Sequence, residues 1–285
     1  MITRRSILRN SAAAVLAAPA LTQQAASAAE SSGGGRLKQS VCRWTYSKFS
    51  LDELCQNAKR IGLKGIDLVN APDWPTVKKY GLVPSMVGGK AKIPDGFNRL
   101  ENHDVLVNDL QELITQVAAE GLPNVIAFSG NRKGMPDGEG LENSVKGLNR
   151  IKKFAEDKGV TINLELLNSK VNHKDYMADH TAWGAELCKR VDSPRVKLLY
   201  DIYHMQIMEG DIIRTIRDNY KYLGHFHTGG NPGRHELDNT QELNWRAIAT
   251  AIADLGYQGY FAHEFVPIAP DPIKSLEQAY ELCKV

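Results

Sequence analysis

Apolar positions along this chain follow two rhythms. Short runs rich in β-branched residues alternate with stretches where apolar residues return at the three- and four-residue spacing of an amphipathic helix. The runs predict strands over 40–44, 65–69, 82–87, 124–129, 161–167, 196–202, 222–228 and 259–265. The periodic stretches predict helices over 51–61, 75–80, 105–120, 141–158, 180–190, 211–219, 245–255 and 272–283. Local signals support the boundaries. Ser50 with Glu53 forms a capping-box pattern, Gly62 follows the first helix, and Pro272 opens the last. The stretch 88–103, with its Gly and Pro residues, reads as a long functional or mobile loop.

Strand–helix alternation implies a parallel sheet covered by helices. Eight such units in roughly 250 residues match a single-domain α/β fold, the (β/α)8 TIM barrel. No G-x-G-x-x-G follows the first strand and no P-loop is present, so nothing points to a dinucleotide or nucleotide site.

The first residues read as an export signal rather than as fold. Arg4 and Arg5 sit in a twin-arginine pattern, an apolar run spans 12–21, and Ala26-Ser27-Ala28 is a small-residue cleavage site. The run is shorter than the ~20 residues that span a bilayer. The expected organisation is a twin-arginine signal peptide over 1–28, a flexible spacer over 29–37 and a catalytic barrel over 38–285, with the mature protein exported to the periplasm and free of the membrane. Cleavage after Ala28 takes 28 residues from 285, leaving 257, and three arginines from a net charge of +2, leaving −1. With 24% charged and 42% hydrophobic residues the composition is globular. Near-neutral charge argues against a nucleic-acid partner. Cys42, Cys55, Cys188 and Cys283 form no C-x-x-C pair and are expected to be buried, unpaired thiols. A homo-oligomer is left open.

In a TIM barrel, chemistry sits at the C-terminal ends of the strands. The last four predicted strands each carry a polar residue there: Glu165, Asp201, His227 and Glu264. A carboxylate in an apolar strand is costly unless it is paired or coordinated. Four such positions on consecutive strands read as a divalent metal site. Three oxygens and one nitrogen suit Mg2+, Mn2+ or Co2+, and Zn2+ as well. His204, three residues after Asp201, is placed at the start of a loop, to contact substrate or support a ligand. Arg234, in the Gly-rich loop 229–236, suits an anionic group. His225 and His263 are read as pointing away from the pocket.

Leu164-Glu165, Asp201-Ile202-Tyr203-His204, Arg234-His235-Glu236 and Gly256-Tyr257-Gln258-Gly259 leading to Glu264 together resemble the hydroxypyruvate isomerase family within the xylose isomerase-like TIM-barrel superfamily. The resemblance covers 40–267. It implies that Glu165, Asp201, His227 and Glu264 bind metal, that Glu165 and Glu264 also transfer protons, and that His204 and Arg234 hold substrate. The implied reaction moves a proton through an enediolate in a small α-hydroxy carbonyl compound, such as hydroxypyruvate to tartronate semialdehyde. Hydroxypyruvate isomerases often carry Gln where this chain has His227, whereas related ketose 3-epimerases carry His. The alternatives are therefore a ketose 3-epimerase or inosose-type dehydratase with a sugar substrate, or a non-catalytic sugar-binding barrel.

Overall fold

The computed structural model describes residues 35–285; the expected export signal and most of the spacer lie outside the described residues. Eight strands run parallel: β1 (Lys38–Cys42), β2 (Gly65–Asp67), β3 (Val83–Met86), β4 (Asn124–Ala127), β5 (Thr161–Leu166), β6 (Val196–Asp201), β7 (Leu223–Thr228) and β8 (Tyr260–His263). They hydrogen-bond in the order β3-β2-β1-β8-β7-β6-β5-β4. Val87, just past β3, donates its N–H to Asn124 O at 3.1 Å and accepts from Ile126 N at 3.0 Å. That pair joins the two outer strands and closes the predicted (β/α)8 barrel. All six residues of β5 are buried, as expected for a strand between a filled interior and a helical layer.

The helices are α1 (Leu51–Ile61), α2 (Trp74–Lys79), α3 (His103–Ala119), α4 (Asp137–Asn149), α5 (Lys152–Lys158), α6 (Thr181–Val191), α7 (Ile202–Met208), α8 (Ile212–Asn219), α9 (Trp245–Asp254) and α10 (Pro272–Cys283). α1 shows how local sequence sets an element. Ser50 Oγ accepts from Glu53 N at 3.2 Å, and Glu53 Oε2 accepts from Ser50 N at 2.8 Å. Leu54, Cys55, Ala58 and Ile61 face the core, and Gly62 ends the helix at φ +109°, a backbone state that favours glycine. Among the described residues, no helix is long and apolar enough to cross a membrane.

Three expectations shift. The predicted helix 141–158 is two helices, broken at Arg150 and Ile151. Ile151 is fully buried at the break, so the apolar rhythm runs through it unbroken. Trp44 does not end the first strand but opens a 3-10 turn, Trp44–Tyr46. The apolar segment Ile202–Met208 is a short helix, α7, not a loop. All four cysteines are free and buried, as expected.

The loop after β3 is anchored in its second half. Phe97 N donates to Phe128 O at 3.1 Å, Asn98 N to Ser129 O at 2.9 Å, and Asn131 N to Pro94 O at 3.0 Å. Phe97 and Asn98 are buried. Gly96 makes the close approach, since a Cβ there would sit 2.2 Å from the backbone of Ser129 and Gly130. Gly96→Ala is therefore expected to destabilise by about 1–3 kcal/mol, a drop in melting temperature of roughly 2–4 °C per kcal/mol. An unchanged thermal melt would show that this packing does not hold the loop.

Candidate active site

Glu165 near the end of β5, Asp201 closing β6, His227 in β7 and Glu264 one residue past β8 converge at the C-terminal mouth of the barrel. Asp201 and His227 are partners in the strand register, so adjacent strands deliver them side by side. One donor atom from each of the four residues lies within 4.8 Å of the others, and all four residues are buried. His227 Nδ1 lies 2.7 Å from Glu264 Oε2, 3.3 Å from Glu165 Oε1 and 4.0 Å from Asp201 Oδ2.

Arg234 reaches the same cluster. Its Nη2 donates to Asp201 Oδ2 at 3.0 Å and to Glu264 Oε2 at 2.5 Å. The guanidinium lies between the rings of Trp44 and Tyr203, 5.5 and 5.3 Å from their centroids, where cation–π attraction adds to the ion pairs. Its backbone is at φ +60°, uncommon for a side chain of this size. Arg234 N bonds Gly230 O at 2.7 Å, and Val266 N bonds Arg234 O at 2.7 Å, so loop 229–236 is tied to the segment after β8. Gly230 permits the turn: a Cβ there would meet Glu236 O at 2.2 Å.

His204 lies on α7, whose N-cap is Asp201, with Asp201 Oδ1 accepting from His204 N at 3.2 Å. One residue thus caps a helix and faces the cluster. Asn168 Oδ1 accepts from the Val171 and Asn172 backbones, which turns its amide Nδ2 toward His204 Nδ1 at 2.5 Å. His204 then carries its proton on Nε2. That atom is buried without a hydrogen-bond partner, and the ring lines the cavity.

Electrostatics separate the carboxyl groups. Burial pushes Glu165 above the usual carboxylate range. Burial pushes Asp201 up to about 7, against the pull of Arg234. Glu264 resists the same burial because Arg234 and His227 hold it well below its ordinary value, and the Trp44 indole N–H donates to its Oε1 at 2.7 Å. Burial acts most strongly against a charged His227, but Glu264, Cys42 and Asp67 together outweigh it and hold the ring well above its ordinary value. His204 is kept neutral by burial and by Arg234. Three carboxyl groups and one imidazole thus present oxygen and nitrogen donors to one point. That donor set fits a divalent cation.

The structure brings together all six predicted site residues and corrects their surroundings. The first four strands were not expected to end in titratable groups, yet Asp67 closes β2, fully buried. His225 was expected to point away. It shares the strand face of His227, because residues two apart on a strand lie on one side, and its Nε2 is 2.9 Å from Asp67 Oδ2. His263 does face outward, to Gln39 Oε1 at 2.8 Å. Trp44 and His173, which lines the mouth beside His204, had no functional reading. The place of Trp44 two residues past β1 could have flagged it; His173, seven residues past β5, carried no such signal.

Above the cluster is a cavity of about 370 Å³. One wall is polar: Trp44, Glu165, His204, Arg234 and Glu264. The other is apolar: Leu68, Ile93, Ile126, Phe128 and Leu167.

The sequence profile of the xylose isomerase-like TIM barrel family matches residues 42–284. This chain belongs to that family. A putative hydroxypyruvate isomerase of Danio rerio is 36% identical over 104 residues, 36% of this chain and 38% of the relative. A D-psicose 3-epimerase of Ruminiclostridium cellulolyticum is 36% identical over 118 residues, 41% of this chain and 39% of the relative. These matches span about two fifths of each relative's length. A putative hydroxypyruvate isomerase of Mus musculus is 23% identical over 81% of this chain and 79% of its own. The solved structure of an AP endonuclease, family 2, from Brucella melitensis superposes with a TM-score of 0.74 at 21% identity, covering 84% of this chain and 97% of that one, and shares the fold.

The titration of the family barrel's donors has a direct readout. Asp201 must be deprotonated and His227 must lose a proton before both can coordinate. Affinity for Mn2+ should therefore rise with pH through about 7, where Asp201 ionises, and go on rising above it as His227, held above its ordinary range, gives up its proton. Chelator competition between pH 5.5 and 8.5 checks this, and a flat profile would rule these groups out as ligands.

Proposed function

We propose that this protein is an isomerase that moves a proton through an enediolate in a small α-hydroxy carbonyl substrate, assisted by a divalent metal. The observation that carries the reading is the pair Glu165 and Glu264, buried at one mouth and pushed in opposite directions. Two titratable groups driven apart in this way are suited to opposite halves of a proton transfer. Glu264, held ionised, takes the proton from carbon. Glu165, whose burial favours the protonated form, returns one. A proton returned to the neighbouring carbon gives isomerisation; returned to the same carbon from the other face, it gives epimerisation. Arg234 and the Nε2–H of His204 are the donors placed to orient substrate oxygens. Glu165, Asp201, His227 and Glu264 would hold the metal, whose charge lowers the energy of the developing enediolate.

Two of these relatives are named putative hydroxypyruvate isomerases, which supports hydroxypyruvate as substrate, and among the described residues Arg234 is the one Arg or Lys lining the cavity. A second reading, a ketose, is favoured by the cavity itself. Its roughly 370 Å³ matches about a dozen waters at ~30 Å³ each, and a three-carbon acid fills only part of that. Arg234 is also already shared between two carboxylates, and the opposite wall is apolar.

Proton NMR in D2O on manganese-loaded protein, with hydroxypyruvate and with a ketose panel, separates the readings. Uptake of deuterium at substrate carbon is expected for one class and not the other. Glu165→Gln and Glu264→Gln should each reduce turnover by about 10²–10⁴-fold, the usual worth of general acid–base groups, while the protein stays folded. Near-wild-type turnover in both variants would overturn the mechanism. Metal binding without exchange in any substrate would leave a binding protein.

A further inference from the structure

The cluster at the mouth has an underside. His227 turns Nδ1 toward Glu165, Asp201 and Glu264, and turns Nε2 the opposite way, toward Asp67 Oδ1 at 3.2 Å. Asp67 comes from β2, across the barrel from β7. Its other oxygen accepts from Ser85 Oγ at 2.8 Å and lies 2.9 Å from His225 Nε2. Cys42 Sγ is 3.8 Å from Asp67 Oδ1. Asp67, Ser85, His225, His227 and Cys42 are all fully buried.

No Lys or Arg pairs with this carboxylate among the described residues. A buried anion with such partners is costly, and an apolar residue would fill the barrel floor more cheaply. Its partners point to a use. An ionised carboxylate only accepts hydrogen bonds. The imidazole nitrogen facing it must therefore carry the proton, and the nitrogen facing the mouth is the one that can present a lone pair.

We propose that Asp67 is a positioning residue for His227. Braced by Ser85 and His225, it keeps the His227 proton on Nε2 and fixes the ring so that Nδ1 serves as a metal donor. The proposal rests on the metal reading above. Carboxylate partners of ligating histidines typically contribute 10–100-fold in metal affinity.

The test uses Mn2+ as the probe for affinity and Mg2+ for NMR, on the full folded protein. Asp67→Asn is expected to weaken Mn2+ binding about 10–100-fold with its far-UV spectrum unchanged. Long-range 1H–15N correlations of the Mg2+-loaded wild type should show the His227 proton on Nε2, and that single tautomer should be lost in the variant. Wild-type affinity in Asp67→Asn, with Asp201→Ala losing metal, would overturn the proposal alone. Failure of the wild type to bind any of Mn2+, Mg2+, Co2+ or Zn2+ would overturn the metal reading and this one with it. Two ions per chain, one of them lost in Cys42→Ser, would make Asp67 a ligand of a second site and overturn its positioning role. If Asp67→Asn does not fold, His225→Gln leaves Asp67 in place without its brace. A smaller loss of Mn2+ affinity is then expected, and none would overturn the proposal.

Discussion

Glu165, Asp201 and Glu264 repel one another across a few ångströms from which most of their hydration has been stripped, and such a group persists only if cations answer it. Arg234 and His227 are that answer, and much of the local architecture exists to supply them. The loop after β7 folds back on itself and hydrogen-bonds to the segment after β8, which sets Arg234 between two rings and over two carboxylates. His227 stands between two acidic regions, Asp67 below and the mouth above. Asp201, at the seam of β6 and α7, is fixed by capping the helix it starts.

Most of this was legible in the sequence because it obeys the period of a strand. Four polar residues at equivalent ends of consecutive apolar strands are visible without coordinates, and all four converge. The strand–helix count likewise survives small errors in boundaries. What stayed hidden shows where sequence patterning ends. Asp67 sits in a strand of only three residues, too short for alternation to show which way it points. His225 lies two residues from His227, and the strand period of two puts both on the same side. Ile202–Met208 is nearly all apolar, so its helical turn is masked by the strand that precedes it. The roles of Trp44 and His173 come from how loops fold over the mouth, which depends on contacts distant in the chain.

The two walls of the cavity have separate origins. The polar wall comes mostly from β5 to β8 and their loops, with Trp44 from beyond β1. The apolar wall comes from β4 and the stretches after β2, β3, β4 and β5, and Met86, Ile126 and Leu199 pack together in the barrel interior. The cavity lining therefore combines charged groups, mostly from the last strands, with apolar side chains, mostly from the loops after β2 to β4. The carboxylates gain a low-dielectric neighbour that strengthens every interaction among them.

The closure of the barrel has a consequence for how the molecule moves. Neighbouring strands elsewhere share three to five residue pairs, whereas the seam between β3 and β4 holds one bridge, at Val87, and the side-chain bond from Asn124 Nδ2 to Ser85 O. Local opening favours the place with the fewest bonds to break. That place adjoins Ile126 and the start of the loop at Gly88 and Gly89, both part of the cavity lining. The barrel is therefore a ring with a clasp. Local opening is expected first at this seam, beside the apolar part of the cavity lining.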